Sequence, residues 1–229
     1  MAMTHGNHSA GWVAPAARIS LAATAVSCLS LIGLHVLSPE LAPSWRMVSE
    51  YANGRAPWLL TIVFAAWAIS SFGMVIALRP LLSTTQGKAG LTFLALGGVG
   101  QTMGALFDIN HALHAPAAMI GIPSLCVAAV LITLALVRYP GIEAPPRWSA
   151  HLPWVSFGIM LGALAAFFSA LQASGVDMSS QTGALSELPT GVSGHVGWAN
   201  RLLFVSTYVW IALAARAVLR ADSRASADA

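Results

Sequence analysis

Residues 117–137 read AAMIGIPSLCVAAVLITLALV, 21 positions without a charged side chain. At about 1.5 Å per residue, a helix of that length crosses the roughly 30 Å hydrocarbon core of a bilayer. Five more stretches share this character: 16–37, 58–78, 89–108, 154–174 and 198–219. Lipid offers no partner for backbone N–H and C=O groups, so spans are helices or closed barrels. Long runs that do not alternate exclude the barrel. The reading is all-α, a polytopic membrane protein whose residues 16–219 form a six-transmembrane-helix bundle. A cytoplasmic N-tail, 1–15, precedes it, and the polar tail 220–229 is read as disordered.

The composition agrees. Of 229 residues, 57% are hydrophobic and 8% charged, against about 25% charged in soluble domains. The eleven cations are scattered without a basic run, so no nucleic-acid partner is expected. Cys28 and Cys126 fall inside apolar runs and read as small buried hydrophobes. The first run is longer than a signal peptide's apolar region and no small-residue cleavage site follows it, so no secretory signal is expected.

Orientation follows from the cations. Arg18, Arg79, Lys88, Arg138, Arg147, Arg216, Arg220 and Arg224 lie on one side of the six spans, and Arg46, Arg55 and Arg201 on the other. The positive-inside rule then places both termini in the cytoplasm, with the bacterial inner membrane as the expected location. Trp12, Trp45, Trp58, Trp148, Trp154 and Trp198 near span ends read as an interfacial belt. Trp67 and Trp210 lie deeper and are candidates to line a cavity. Gly100 with Gly104, and Gly158 with Gly162, have the spacing that lets helix backbones approach. Pro123 is expected to kink the fourth span.

With this topology the outward face collects polar groups. His35 and Asp108 end the first and third spans, His114 opens the fourth, and His195 precedes the sixth. Ionisable groups at a bilayer's edge are costly unless paired, hydrated or coordinated. His111 and His114, three residues apart, fall on one side of a helical turn. With His35 and His195 they make a candidate N-ligand set for a divalent metal such as zinc, to which Asp108 could add an oxygen. The same groups could move protons without metal. Interfacial roles, with Asp108 as a helix cap, are the plainer alternative.

The first outward loop, SPELAPSWRMVSEYANGRAPW (38–58), carries Trp45, Val48 and Ala52 at helical spacing. It predicts a short amphipathic helix on the bilayer surface, with Arg46 and Glu50 paired four residues apart. The alternative tucks Glu50 and Tyr51 inward toward His35. The last outward loop, 175–197, ends GVSGHVGW and has the flexible composition of a lid or of an ordinary mobile loop. Gln101, below Asp108, could deepen a polar cavity or bond a neighbouring helix.

HVLSPELAPSWRMVSEYANG (35–54), the run ending ALRPLL (77–82), ALFDINHALHAPAAM (105–119) and WANRLLFVSTYVWIALAARAVLR (198–220) together resemble the bacterial six-span family known as domain of unknown function 998. The resemblance covers about residues 16–220. The family pattern maps onto His35, Ser49–Ala52, Asp108, Leu113–His114 and Arg201. Two departures stand out: LFDIN replaces an FPTDP-like run, and His111 is additional. The resemblance implies the topology and the outward-facing site and supplies no reaction.

The functional expectation is a membrane protein whose outward polar pocket binds or transforms a hydrophobic molecule, a lipid or prenyl chain. Asp108, His114, His35 and Glu50 are the candidate acid–base residues. Trp67, Gln101, Phe107, Tyr51, Trp210 and Arg201 are candidates to contact the substrate. Metal-assisted hydrolysis and proton-initiated cyclisation or isomerisation are the two chemical versions. The competing class is a non-enzymatic, lipid-organising or partner-binding membrane subunit, homo-oligomeric or joined to another membrane protein.

Overall fold

A computed structural model describes residues 11–175, 185 and 187–227, with only the backbone of residue 225. Asp177, His5 and His8, and most of the tip of the loop spanning residues 175–197, lie outside the described residues. Six helices follow in order: α1 (Val13–Leu37), α2 (Pro57–Leu78), α3 (Thr85–Leu106), α4 (His114–Val137), α5 (Leu152–Ala173) and α6 (Val196–Ala227). All six are long and apolar enough to cross a membrane, and the chain is a multi-pass membrane protein. Two 3₁₀ turns, Val48–Asn53 and Arg147–His151, sit in the loops before α2 and α5.

The helix starts follow local chemistry. Pro57 opens α2, where a missing N–H costs nothing. Thr84 caps α3 by accepting from the Gly87 N–H at 3.1 Å. That cap draws Lys88 into the first turn, so α3 begins earlier than the apolar run alone suggests. The helix α4 continues through Pro123.

The helices pack in sequence, α1 on α2, α2 on α3 and α3 on α4, and α6 closes the bundle against α1. Glycine sets the α3–α4 distance. A Cβ on Gly100 would lie 2.5 Å from the Gly121 Cα, so the two backbones touch there. Gly104 faces the Phe64 ring instead. On α5, Gly158 and Gly162 meet nothing within 4 Å, and the helix packs mainly on α6. The spacing read as a packing face therefore has no partner among the described residues.

The interior is polar where helices cross. Ser20 and Thr24 on α1 bond Ser70 on α2, and Ser27 bonds Tyr208 on α6 at 2.7 Å. Among the described residues every buried side-chain polar atom has a partner, as a solvent without hydrogen bonds demands.

The helix α6 runs on to Ala227. Residues 220–227, read as a disordered tail, are helical, with Arg220 and Arg224 reaching Glu143 in the loop between α4 and α5. Alanine and arginine are good helix formers, and an existing helix needs no new nucleus to extend.

Candidate functional site

The loop between α1 and α2 organises one end of the bundle. Its short helix is a 3₁₀ turn, and it faces inward where the spacing predicted a helix resting on the bilayer surface: Val48 and Tyr51 are fully buried. The reason is hydrogen bonding rather than amphipathicity. The Glu50 carboxylate takes the Met47 N–H at 2.6 Å and the Arg46 guanidinium at 2.7 Å, closing the turn from both sides. Arg46 also donates to the Leu185 carbonyl and lies 3.9 Å above the Trp45 ring. This ion pair is largely buried, unlike the exposed pair its spacing suggested.

The turn is fastened to the start of α6. Ser44 O accepts from Gly197 N at 2.9 Å, and Asn200 Oδ1 accepts from Val48 N at 2.9 Å. Glycine is required for this approach. A Cβ at Gly197 would lie 2.3 Å from the Pro43 carbonyl, and one at Gly194 the same distance from the Trp45 Cβ. The glycines of GVSGHVGW thus serve close packing here, where composition suggested a lid.

Arg201 stands at the centre and is 5% exposed. Its Nε donates to His35 Nε2 at 2.7 Å. Its Nη1 donates to the carbonyls of Arg46 (2.7 Å) and Gly197 (2.9 Å). Its Nη2 donates to the Tyr51 hydroxyl at 3.1 Å, which in turn donates to Leu41 O. An arginine Nε always carries hydrogen, so His35 Nε2 is the acceptor. The other ring nitrogen, 2.7 Å from the Leu31 carbonyl, is then the donor. Burial pushes the Tyr51 hydroxyl above its ordinary pKa, and Arg201 partly opposes that shift. The phenol stays protonated and able to donate.

Asp108 lies elsewhere. It is exposed, and its Oδ1 accepts from the Asn110 N–H at 2.9 Å, closing the turn between α3 and α4. His114 opens α4, with its Nδ1 2.9 Å from the Phe107 carbonyl. His111 is exposed; its ring stacks on Phe107 at 4.5 Å, and its Nδ1 accepts from Leu113 N. The side-chain bridge from this turn to the first loop is Asn110 to Asn53, at 2.9 Å. His195 is exposed and joins neither group.

The histidines expected to share a metal are therefore dispersed. His35 is bound to Arg201, and His111 and His114 are each satisfied within the α3–α4 turn. Among the described residues no three His, Cys, Asp or Glu side chains gather where they could hold an ion. Depth along the spans had suggested convergence, but depth does not specify position around the bundle.

Trp67 and Trp210 are core residues. Trp210 Nε1 donates to Thr133 at 3.0 Å, joining α6 to α4. The Gln101 amide that satisfies all its neighbours puts oxygen on Trp67 Nε1 (3.0 Å) and nitrogen on Ser71 Oγ (2.8 Å). Gln101 thus ties α3 to α2. The site that forms joins His35, Glu50, Tyr51 and Arg201 with Arg46 and Asn200. Asn200 escaped the sequence reading although it is an amide adjoining a charge inside an apolar run, which is the signal that could have found it.

A family model described as protein of unknown function (DUF998) matches residues 20–217. No curated protein and no solved structure matches the chain. The chain belongs to that DUF998 family, and the matched stretch takes in the whole site.

Proposed function

We propose that this six-span protein binds a lipid or prenyl amphiphile with an anionic headgroup at the His35 end of the bundle, with Arg201 as its electrostatic anchor. The observation that carries this reading is the charge of Arg201. Among the described residues all its hydrogen bonds go to neutral acceptors, an imidazole, two carbonyls and a phenol, while the neighbouring carboxylate of Glu50 is bonded to Arg46. Burying a guanidinium without a bonded counter-ion is costly, and an arriving phosphate or carboxylate offsets that cost. His35, half-buried, and the exposed Trp198, 5.9 Å from the guanidinium, flank it. Binding is the part this geometry supports; proton chemistry at His35 would first need one of its two ring nitrogens released.

The site end faces outward in this proposal, and both termini lie in the cytoplasm of a bacterial inner membrane. The support is the cation bias of eight residues against three. In intact cells an impermeant maleimide is expected to label Asn53→Cys and to spare Lys88→Cys; the reverse result overturns the orientation.

The binding test uses the purified full chain, with farnesyl phosphate and farnesol as probes. Farnesyl phosphate is expected to raise the melting temperature and farnesol to do so far less. Arg201→Lys and His35→Gln should each weaken the phosphate-dependent shift. Equal shifts with both probes, or an undiminished shift in both variants, would falsify the reading.

A second reading, a subunit that docks a further membrane helix, is favoured by α5. Of its side chains only Pro153, Ser156, Met160, Phe167 and Leu171 are buried, and Gly158 and Gly162 open on empty space. Under that reading Gly158→Ile changes the oligomeric mass in detergent and leaves farnesyl phosphate binding unaltered.

A further inference from the structure

The opposite end of the bundle carries a second concentration of charge. The last turns of α6 present Arg216, Arg220 and Arg224 at four-residue spacing, on one face of the helix. With Leu219, Ser223 and Glu143 they line a cleft against the loop between α4 and α5. Glu143 pairs with Arg224 at 3.1 Å and with Arg220 at 3.6 Å. Arg216 makes no hydrogen bond or ion pair among the described residues, and it is exposed. The acid is held there by a stiff loop: Gly141 takes a left-handed turn with φ +83°, and Pro145 and Pro146 follow it.

We propose that this cleft binds the phosphate of an anionic membrane lipid, with Glu143 as the internal anion that the phosphate displaces. Depth selects a lipid over a phosphate ion from solution. Arg216 lies twenty residues along α6 from Val196, or about 30 Å, one hydrocarbon thickness. It therefore stands at the headgroup level of the far leaflet, and Arg220 and Arg224 continue from it toward water. The Ser223 hydroxyl already donates to Leu219 O, so the arginines supply the donors. A carboxylate bridging two guanidinium groups occupies the geometry a phosphodiester takes up. Its exposed ion pairs are weak enough to yield. This site shares no residue with the Arg201 site and does not depend on it.

The experiment is native mass spectrometry of the full chain in detergent, titrated with dioleoyl phosphatidylglycerol and, separately, dioleoyl phosphatidylcholine. The wild type is expected to retain the anionic lipid preferentially, by about fivefold for each arginine engaged. Arg216→Gln with Arg220→Gln should cut that preference severalfold, equally in a His35→Gln background that weakens the Arg201 end, while the thermal melt is unchanged. Glu143→Gln should strengthen retention of phosphatidylglycerol. Parity in the wild type, or a preference that the double substitution leaves undiminished, overturns the proposal. Displacement of the lipid by millimolar inorganic phosphate overturns the lipid assignment and leaves a site for a solution anion. Farnesyl phosphate binding at the Arg201 end is read separately through His35→Gln, so either proposal can fail alone.

Discussion

Arg201 Nε and His35 Nε2 lie 2.7 Å apart, and this contact joins the start of the last helix to the end of the first. It also sets the imidazole's form, because a protonated Nε2 would point a hydrogen at a guanidinium. His35 is thus a neutral acceptor on one side and a donor to Leu31 O on the other.

Replacing His35 by alanine leaves the Arg201 Nε–H without its acceptor in a half-buried place. A hydrogen bond to a charged group contributes about 1.5–3 kcal/mol, so His35→Ala should lower the melting temperature by several degrees. His35→Gln, which restores an acceptor, should recover part of the loss. Intrinsic tryptophan fluorescence during a thermal ramp measures both. Equal stability of wild type and the alanine variant would remove the contact's structural importance.

Asp108 separates the present reading from acid–base chemistry centred on that residue. Its carboxylate closes an exposed turn, and asparagine can accept the same hydrogen bond. Asp108→Asn is therefore expected to keep the fold and the farnesyl phosphate shift, with stability changing by under about 1 kcal/mol. If the substitution instead eliminates binding, the working group lies at the α3–α4 turn.

Two glycine substitutions should have opposite outcomes. Gly197→Ala drives a methyl group into the Pro43 and Arg46 carbonyls, and backbone there cannot move aside cheaply. A loss of about 2 kcal/mol or more is expected. Gly158→Ala meets open space and gains helix propensity, so its thermal melt should match or exceed that of the wild type.

Tyr51 gives a pH dependence of definite sign. Burial raises its hydroxyl above the usual value of 10.0, so above that pH the folded state keeps a proton that the unfolded chain releases. The stabilisation is complete below pH 10 and is lost as pH rises through the folded-state value. Tyr51→Phe should be less stable near neutrality, by about 1–2 kcal/mol, and show a shallower loss of stability above pH 10. Paired chemical denaturation curves at pH 8 and pH 10.5 test this.

The six spans were readable because hydrocarbon tolerates few alternatives: a run as apolar as 117–137 is a crossing helix wherever its neighbours sit. Helix ends were less legible, since Thr84 and the α6 extension depend on caps and contacts beyond the apolar runs. The site was half visible. Arg201 and His35 stand out as polar residues at span ends, and one of the two readings of the first loop tucks Glu50 and Tyr51 toward His35, as Tyr51 is found, but nothing in the spacing brings Arg201 to them. His35 and His114 both lie at span ends, yet His35 meets Arg201 and His114 meets the Phe107 carbonyl. The first loop was misread as a surface helix because its i, i+3 and i+4 pattern fits either exposure. What turns it inward is Gly197 and Asn200, about 150 residues away in the chain.

That long-range fastening has a consequence for how the protein is made. A ribosome delivers the first loop to the membrane well before residues 197–201 have been synthesised. Until they arrive, the backbone N–H of Val48 lacks its Asn200 acceptor and must turn to water. Whatever the order in which the other helices pack, this cap cannot close until α6 is in place, so its assembly waits on the helix most distant from it in the chain.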